Sequence, residues 1–214
     1  MPTKLRTGQT LLFIGDSITD CGRRGPDAPL GAGYVRIFAD LLALREPAKR
    51  LTIVNKGIGG NTVEDLQARW HDDVLRLEPD WLSIKIGIND LHRTLFQRPN
   101  PVPPDQFGEI YDEILSRTAT ILPGRRILLI DPFYISMNRN GRSPRAAVLE
   151  MLPRYLAVVH EMSRKHGARL VRTHEMFQRL LKHHDPDLFC PEPVHPNPTG
   201  HLAIAEAVYE ALSG

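Results

Sequence analysis

The stretch LLFIGDSITD, from Leu11 to Asp20, decides the fold of this chain. It begins with an apolar run, which is typical of a short strand covered on both faces of a parallel sheet. Gly15 ends that run just before Asp16 and Ser17, so the serine is predicted to lie at the carboxyl end of the strand. Because ligands bind at this edge of open α/β sheets, the stretch predicts a reactive hydroxyl group that faces a crevice.

Short apolar runs and amphipathic segments alternate along the rest of the chain. Strands are predicted at residues 11–14, 51–54, 81–86, 126–130 and 168–171, and helices at 34–44, 62–77, 107–122, 144–166, 176–181 and 198–212. This alternation predicts a parallel sheet with helices on both faces and right-handed crossovers. The predicted fold class is therefore α/β, a three-layer αβα sandwich of about five parallel strands in a single domain that covers residues 1–214.

Length and composition are those of an ordinary soluble globular protein. The 214 residues, 42% of them hydrophobic and 24% charged, suffice for one α/β domain and exclude disordered and fibrous classes. The formal net charge of +2 comes with no block of like charge, so neither a nucleic acid nor a membrane surface is an expected partner. The apolar run after Lys4 and Arg6 is too short for a signal peptide or a membrane span, and a cytoplasmic location is expected. Cys21 and Cys190 are therefore expected to be reduced thiols.

A glycine-rich loop, NKGIGGNT at residues 55–62, follows the second predicted strand. Thr62 and Asp65 form a capping pair, which indicates that the loop opens a helix. The N-terminus of a helix presents backbone N–H groups that stabilise an anion or a developing oxyanion. Without side chains, Gly59 or Gly60 lets a substrate approach the backbone closely.

Four separated segments place polar groups at the same edge of the predicted sheet, namely Ser17, Gly60, Asn89 and His195. A serine hydroxyl becomes an effective nucleophile when a base removes its proton, and a histidine oriented by a carboxylate is the usual base near neutral pH. His195 is the candidate base, and Glu192 on the same loop is the nearest carboxylate that can orient it. The N–H groups of Ser17 and Gly60 and the amide of Asn89 are candidates for stabilising a tetrahedral intermediate.

These residues belong to motifs that follow one another along the chain: GDSIT at 15–19, the glycine of NKGIGGNT at 55–62, GIND at 87–90 and VHP at 194–196. In this combination they resemble the sequence blocks of the SGNH/GDSL hydrolases, and LLFIGDSITDCG, NKGIGGNTVEDLQARW and WLSIKIGIND are similar to the intracellular acetyl xylan esterase branch. The resemblance implies a flavodoxin-like fold, no cofactor and a homo-oligomer. It also implies that Ser17 is the nucleophile, that His195 is the base, and that Ser17, Gly60 and Asn89 form the oxyanion hole. Asp16 and Asp90, the acidic members of two motifs, are expected to support the site.

Glu192 departs from the family pattern, which has an aspartate three residues before the histidine. Glutamate serves in some convergent triads, but its side chain is one methylene longer. The loop must absorb this length, or else Asp187 or a backbone carbonyl orients His195. Our working hypothesis is that Glu192 orients it.

Other types of site fit the sequence less well. Residues 57–62 lack the third small residue of a dinucleotide-binding fingerprint, and the His-Glu pairs at 160–161 and 174–175 lack the second histidine of a zinc-protease helix. Histidines and aspartates at 183–187 offer metal ligands, but exposed histidines at helix ends are common, and no metal site is predicted. His201, on the last helix, is expected to be solvated rather than catalytic.

The expected function is therefore hydrolysis of a small-molecule ester through an acyl-serine intermediate, with removal of acetyl groups from xylo-oligosaccharides or similar sugars. A short-chain lipid esterase or thioesterase would use the same serine equally well. A further alternative is a binding protein in which the change to Glu192 has weakened catalysis. The sequence leaves the natural ester and the subunit arrangement open.

Overall fold

Five parallel strands form one sheet in the computed structural model, which describes residues 1–141 and 143–213. They are β1 (Thr10–Gly15), β2 (Thr52–Gly57), β3 (Trp81–Lys85), β4 (Arg126–Ile130) and β5 (Arg169–Val171). Their order across the sheet is β2-β1-β3-β4-β5, and every neighbouring pair is parallel. This is the strand order of flavodoxin, so the predicted fold class is confirmed.

The helices of the described residues are α1 (Ser17–Asp20), α2 (Tyr34–Arg45), α3 (Val63–Asp73), α4 (Ile88–Leu95), α5 (Pro104–Ile121), α6 (Pro144–Lys165), α7 (Thr173–Leu180) and α8 (Pro198–Ser213). Helix α2 packs on α8, whereas α5 packs on both α3 and α6. Because β3 is buried along its whole length, both faces of the sheet are covered. None of the helices in this part of the chain combines the length and hydrophobicity that a membrane span needs.

Glycines let the strands and α1 approach closely near the predicted nucleophile. A Cβ atom at Gly15 would lie 2.2 Å from the carbonyl oxygen of Lys85, and one at Gly57 would lie 2.3 Å from the backbone nitrogen of Asp20. Any side chain at either position would push β1 away from β3, or β2 away from α1. The tight packing fixes Ser17 at the carboxyl edge of the sheet.

Two helices near the site were not predicted. Helix α1 begins at Ser17 because Asp16 caps it, with the Asp16 carboxylate accepting a hydrogen bond of 3.0 Å from Ile18 N. Helix α4 follows Gly87, whose φ of 125° is a conformation that favours glycine. Asn89 therefore lies in the first turn of a helix rather than in a loop.

The predicted C-terminal end of α3 was wrong. The helix stops at Asp73, and Leu77, which was expected to continue its apolar stripe, is 39% exposed. The chain turns at Glu78, which has a φ of 44°, and Pro79 follows at once. A helix cannot continue through this turn, and the chain instead enters β3.

The predicted buried face of α8 was also partly wrong. Leu202 is 43% exposed, whereas His201, which was expected to be solvated, is 6% exposed. Gly200 sets this orientation, because a Cβ atom there would lie 2.3 Å from the carbonyl oxygen of Phe189. The close approach turns His201 towards the site and Leu202 towards solvent.

Candidate active site

Ser17, His195 and Glu192 form a connected row of side chains at the carboxyl edge of the sheet. Ser17 Oγ lies 2.9 Å from His195 Nε2, and His195 Nδ1 lies 2.5 Å from Glu192 Oε1. An ionised carboxylate only accepts hydrogen bonds, so Nδ1 carries the ring proton and Nε2 is left to accept the proton of the serine. This is the geometric relation of the three groups in a serine hydrolase triad.

The loop absorbs the additional length of Glu192 by folding the side chain back onto its own backbone. Glu192 Oε1 accepts a hydrogen bond of 2.7 Å from His195 N, and Oε2 accepts one of 3.0 Å from Val194 N. The residue is flanked by Pro191 and Pro193, which restrict the backbone on both sides. Glu192, and not the alternative Asp187, therefore contacts the imidazole ring.

The predicted oxyanion donors Ser17 and Gly60 lie on neighbouring segments, since a Cβ atom at Gly59 would lie 3.8 Å from Ser17 Cβ. In the part of the chain that the structure describes, no acceptor is found for the backbone N–H of Ser17 or of Gly60. Gly59 N, by contrast, donates to Asp20 Oδ2 at 3.0 Å, which leaves Gly60, at a φ of 82°, as the glycine with a free N–H. Asn89 Nδ2 uses one hydrogen to bond the carbonyl oxygen of Asn61 at 3.0 Å, and its second hydrogen is available to a ligand.

A buried ion pair lies directly behind the nucleophile. Asp16 Oδ2 is 3.1 Å from Lys85 Nζ, and both side chains are almost completely buried. Burial lowers the pKa of Lys85, and the carboxylate of Asp16 opposes that shift. Lys85 was not among the predicted site residues, although a lysine inside a strand that is buried on both faces signals an acidic partner.

Asp90 supports the site through the backbone. Its Oδ1 accepts a hydrogen bond of 2.8 Å from Val63 N and thereby ties α4 to the start of α3. Its Oδ2 is buried and has no hydrogen-bond partner among the described residues. Burial raises the pKa of Asp90 to about 7.

His201 and Cys21 form a second contact close to Ser17. His201 Nδ1 accepts a hydrogen bond of 3.2 Å from Tyr34 N, so Nε2 carries the proton and points to Cys21 Sγ at 3.2 Å. Burial lowers the pKa of His201 to about 4 and raises that of Cys21 to about 11, so both groups are neutral. His201 thereby joins α8 to the end of α1, through Cys21, and to the start of α2, through Tyr34. The cysteine is not an activated thiol. Cys190 is likewise a free cysteine.

The histidines and aspartates at residues 183–187 do not form a group of metal ligands. Within residues 1–141 and 143–213, no three histidine, cysteine, aspartate or glutamate side chains are grouped so that they could hold a metal ion.

Comparisons with known proteins show what this chain is similar to. A sequence model of the GDSL-like lipase/acylhydrolase family matches residues 13–203. An acetylxylan esterase of Geobacillus stearothermophilus is 38% identical over 212 residues, which are 95% of this chain and 94% of that protein. A crystal structure of that enzyme, Axe2, aligns with a TM-score of 0.88 at 36% identity and covers 99% of this chain and 97% of its own. LAE5, an alpha/beta hydrolase from the metagenome of Lake Arreo, Spain, aligns with a TM-score of 0.86 at 35% identity, over 97% of this chain and 96% of its own.

Proposed function

The chain belongs to the GDSL-like lipase/acylhydrolase family and is a serine ester hydrolase, and from that premise we propose that it removes acetyl groups from xylo-oligosaccharides or similar sugars. One observation carries the proposal. Ser17 Oγ lies 2.9 Å from the nitrogen of a histidine whose other ring nitrogen meets a carboxylate. Because a related enzyme over almost the whole chain is an acetylxylan esterase, an acetylated sugar is the favoured substrate.

In the proposed mechanism, His195 removes the proton of Ser17 while Oγ attacks the ester carbonyl. Glu192 holds the ring in the required tautomer and stabilises the imidazolium that forms. His195 then protonates the leaving sugar hydroxyl, and the acetyl group stays on the serine. A water molecule, activated by the same histidine, releases acetate in the second half of the reaction.

Negative charge develops on the carbonyl oxygen in both halves of the reaction. We assign its stabilisation to the free N–H groups of Ser17 and Gly60 and to the available hydrogen of Asn89. The loss of one donor of this type typically lowers turnover by about 10² to 10³.

Structures of Axe2 support the role given to Glu192. They include catalytic mutants in which a serine, an aspartate or a histidine is replaced by alanine. The aspartate and the histidine of that enzyme are three positions apart, as Glu192 and His195 are here. This shared spacing supports the assignment of Glu192 as the carboxylate that orients His195.

The test is release of acetate from acetylated xylose and xylo-oligosaccharides by the wild type and by Ser17→Ala, His195→Ala and Glu192→Ala. We expect no measurable turnover without Ser17 or His195, and a decrease in kcat on the order of 10⁴ without Glu192. An unchanged kcat in Glu192→Ala, beside an inactive Ser17→Ala, would remove Glu192 from the mechanism. An unchanged kcat in Ser17→Ala would overturn the proposal itself.

A series of chromogenic esters with increasing acyl length distinguishes this function from that of a short-chain lipid esterase or thioesterase. A marked preference for acetyl is expected, and a preference for longer chains would contradict it. Labelling of Ser17 by an organophosphonate distinguishes the enzyme from a binding protein with weakened catalysis, because an unactivated serine does not react.

We further infer that residues 1–214 form a single domain, that the protein is cytoplasmic, and that it binds neither nucleic acid nor membranes. The free thiols of Cys21 and Cys190 fit a reducing compartment, and the net charge of +2 offers little attraction to phosphate groups. Sedimentation analysis tests the homo-oligomer that the family resemblance implies.

A further inference from the structure

A cleft of about 390 Å³ opens beside the proposed oxyanion donors. Its lining includes Gly60 and Asn89 together with Arg93, Arg98 and Asn100. None of the described residues around the cleft is acidic. Its volume lies in the range of small-molecule sites and is much larger than an acetyl group requires.

The two arginines of the cleft are held in different ways. Arg93 Nη2 donates a hydrogen bond of 3.0 Å to the carbonyl oxygen of Gly60 and lies 3.8 Å from Asp65 Oδ2. Arg98 lies over the ring of Phe96, 5.7 Å from its centroid, and pairs with no acidic side chain in the described part of the chain. Arg98 N donates a backbone hydrogen bond of 2.8 Å to the carbonyl oxygen of Arg93. The bond closes a turn at the end of α4, and both residues border the cleft.

Neighbouring groups do not cancel the positive charge of Arg98. Asp65 accepts hydrogen bonds of 2.8 and 3.0 Å from Thr62, and Glu192 is engaged with His195. Burial, reinforced by Arg98, lowers the pKa of His92, so this histidine is neutral at pH 7. The guanidinium of Arg98 is therefore the free charge of the cleft.

We propose that this cleft binds a carboxylate on the sugar part of the substrate, and that Arg98 is the residue that selects it. The natural ester is then an acetylated sugar that carries a uronic acid. Arginine matches a carboxylate with two parallel hydrogen bonds, and one unpaired guanidinium balances its single charge. This inference rests on the proposed function, because an acetyl group has no carboxylate of its own and the charge must lie on the alcohol.

Two substrates that differ only in charge test the inference: the acetylated methyl glycoside of glucuronic acid and that of glucuronamide. The measured quantity is the ratio of their kcat/KM values at low ionic strength. For the wild type we expect the acid to be favoured by a factor of roughly two to five, and the preference to decrease as salt is added.

Variants then assign the preference to the cleft. Arg98→Gln removes the charge, and Asn100→Asp adds an opposing one, so both are expected to bring the ratio to about one or below. The matched control is Arg164→Gln, an exposed arginine near the end of α6, where the chain leads into β5 at the opposite edge of the sheet. Its ratio should equal that of the wild type.

Each outcome supports or overturns the inference. If the wild type hydrolyses both sugars equally, or if Arg98→Gln keeps the preference, the inference is wrong while the proposed function stands. If the wild type hydrolyses neither, the inference is wrong, and the proposed function falls with it only if acetylated xylose is not hydrolysed either. In a separate arm, a 4-nitrophenyl adipate monoester is compared with the hexanoate. A preference for the adipate that Arg98→Gln abolishes would place the carboxylate on the acyl side and overturn the assignment to the sugar.

Discussion

Asp90 is a buried carboxyl group whose protonation makes the stability of the protein depend on pH. Its side chain is fully buried, one oxygen is bonded to Val63 N, and the other has no partner in the described residues. Burial raises the pKa of Asp90 to about 7, whereas an unfolded chain leaves it near 4. Between these values the folded protein binds a proton that the unfolded chain has lost. The contribution of Asp90 to stability is thus complete below about pH 4 and is lost as the pH rises through about 7.

Asp90→Asn should therefore change how stability depends on pH. The amide mimics the protonated carboxyl, so the free energy of unfolding of the variant, relative to the wild type, should increase between about pH 4 and 7 and then level off. The limit of this gain is on the order of 4 kcal/mol. Urea denaturation at several pH values measures it, with Asp72→Asn, in an exposed ion pair, as the control. If the difference in free energy of unfolding between the variant and the wild type did not vary with pH, the pKa of Asp90 would not be raised in the folded protein.

Residues that carry chemistry were easier to predict than residues that support them. Ser17, Asn89 and His195 lie within short motifs that indicate their role. The sequence does not show that Glu192 folds back onto Val194 N, because this depends on the path of a proline-flanked loop. His201 was expected to be solvated because no local pattern reveals that Gly200 rotates its helix inward.

At the scale of elements, the strands were predicted within a few residues because apolar runs mark them clearly. The two short helices beside the site were missed for different reasons. Helix α1 spans only Ser17–Asp20 and depends on one capping carboxylate, which leaves no periodic pattern. Helix α4 follows β3 almost without a loop, so the apolar residues Ile86 and Ile88 hide the boundary between them.

The pair of Lys85 and Asp16 links two of these elements, β3 and α1. Lys85→Met should lower the free energy of unfolding by about 3–5 kcal/mol, because it leaves the charge of the Asp16 carboxylate buried without an opposite charge. Asp16→Asn in the same background should recover part of this loss, since asparagine also caps helices well and carries no charge. Urea denaturation of the wild type, both single variants and the double variant gives a double-mutant cycle for the pair. Strictly additive losses would contradict a direct coupling between the two side chains.

The pair should also affect catalysis through the position of Ser17. If it orients the start of α1, Lys85→Met lowers kcat more than it raises KM, even where the variant remains folded. The double variant should recover kcat together with stability. A variant that is destabilised but turns over substrate at the wild-type kcat would limit the pair to a structural role.

At the scale of the whole molecule, the site depends on parts of the chain that are far apart in sequence. Ser17 and His195 are 178 residues apart, yet their side chains are in contact. Helix α8, which follows the His195 loop, packs on α2 near the start of the chain, and Arg45 and Glu206 join the two helices by hydrogen bonds of 2.8 and 2.6 Å. The site therefore exists only when the first and last elements are assembled on the same sheet.

We accordingly expect the active site and the hydrophobic core to unfold together in a single transition. Trp70, on α3, and Trp81, in β3, are both buried and report on the core by fluorescence. In a urea titration, the midpoints from fluorescence, far-UV circular dichroism and organophosphonate labelling of Ser17 should coincide, as in two-state unfolding of one domain. Single-tryptophan variants, Trp70→Phe and Trp81→Phe, separate the two reporters, and each is compared only with the circular dichroism of the same variant. If labelling of Ser17 were lost at a lower urea concentration than the other signals, the His195 loop would open by itself. A second transition in the fluorescence of either single-tryptophan variant would contradict a single domain.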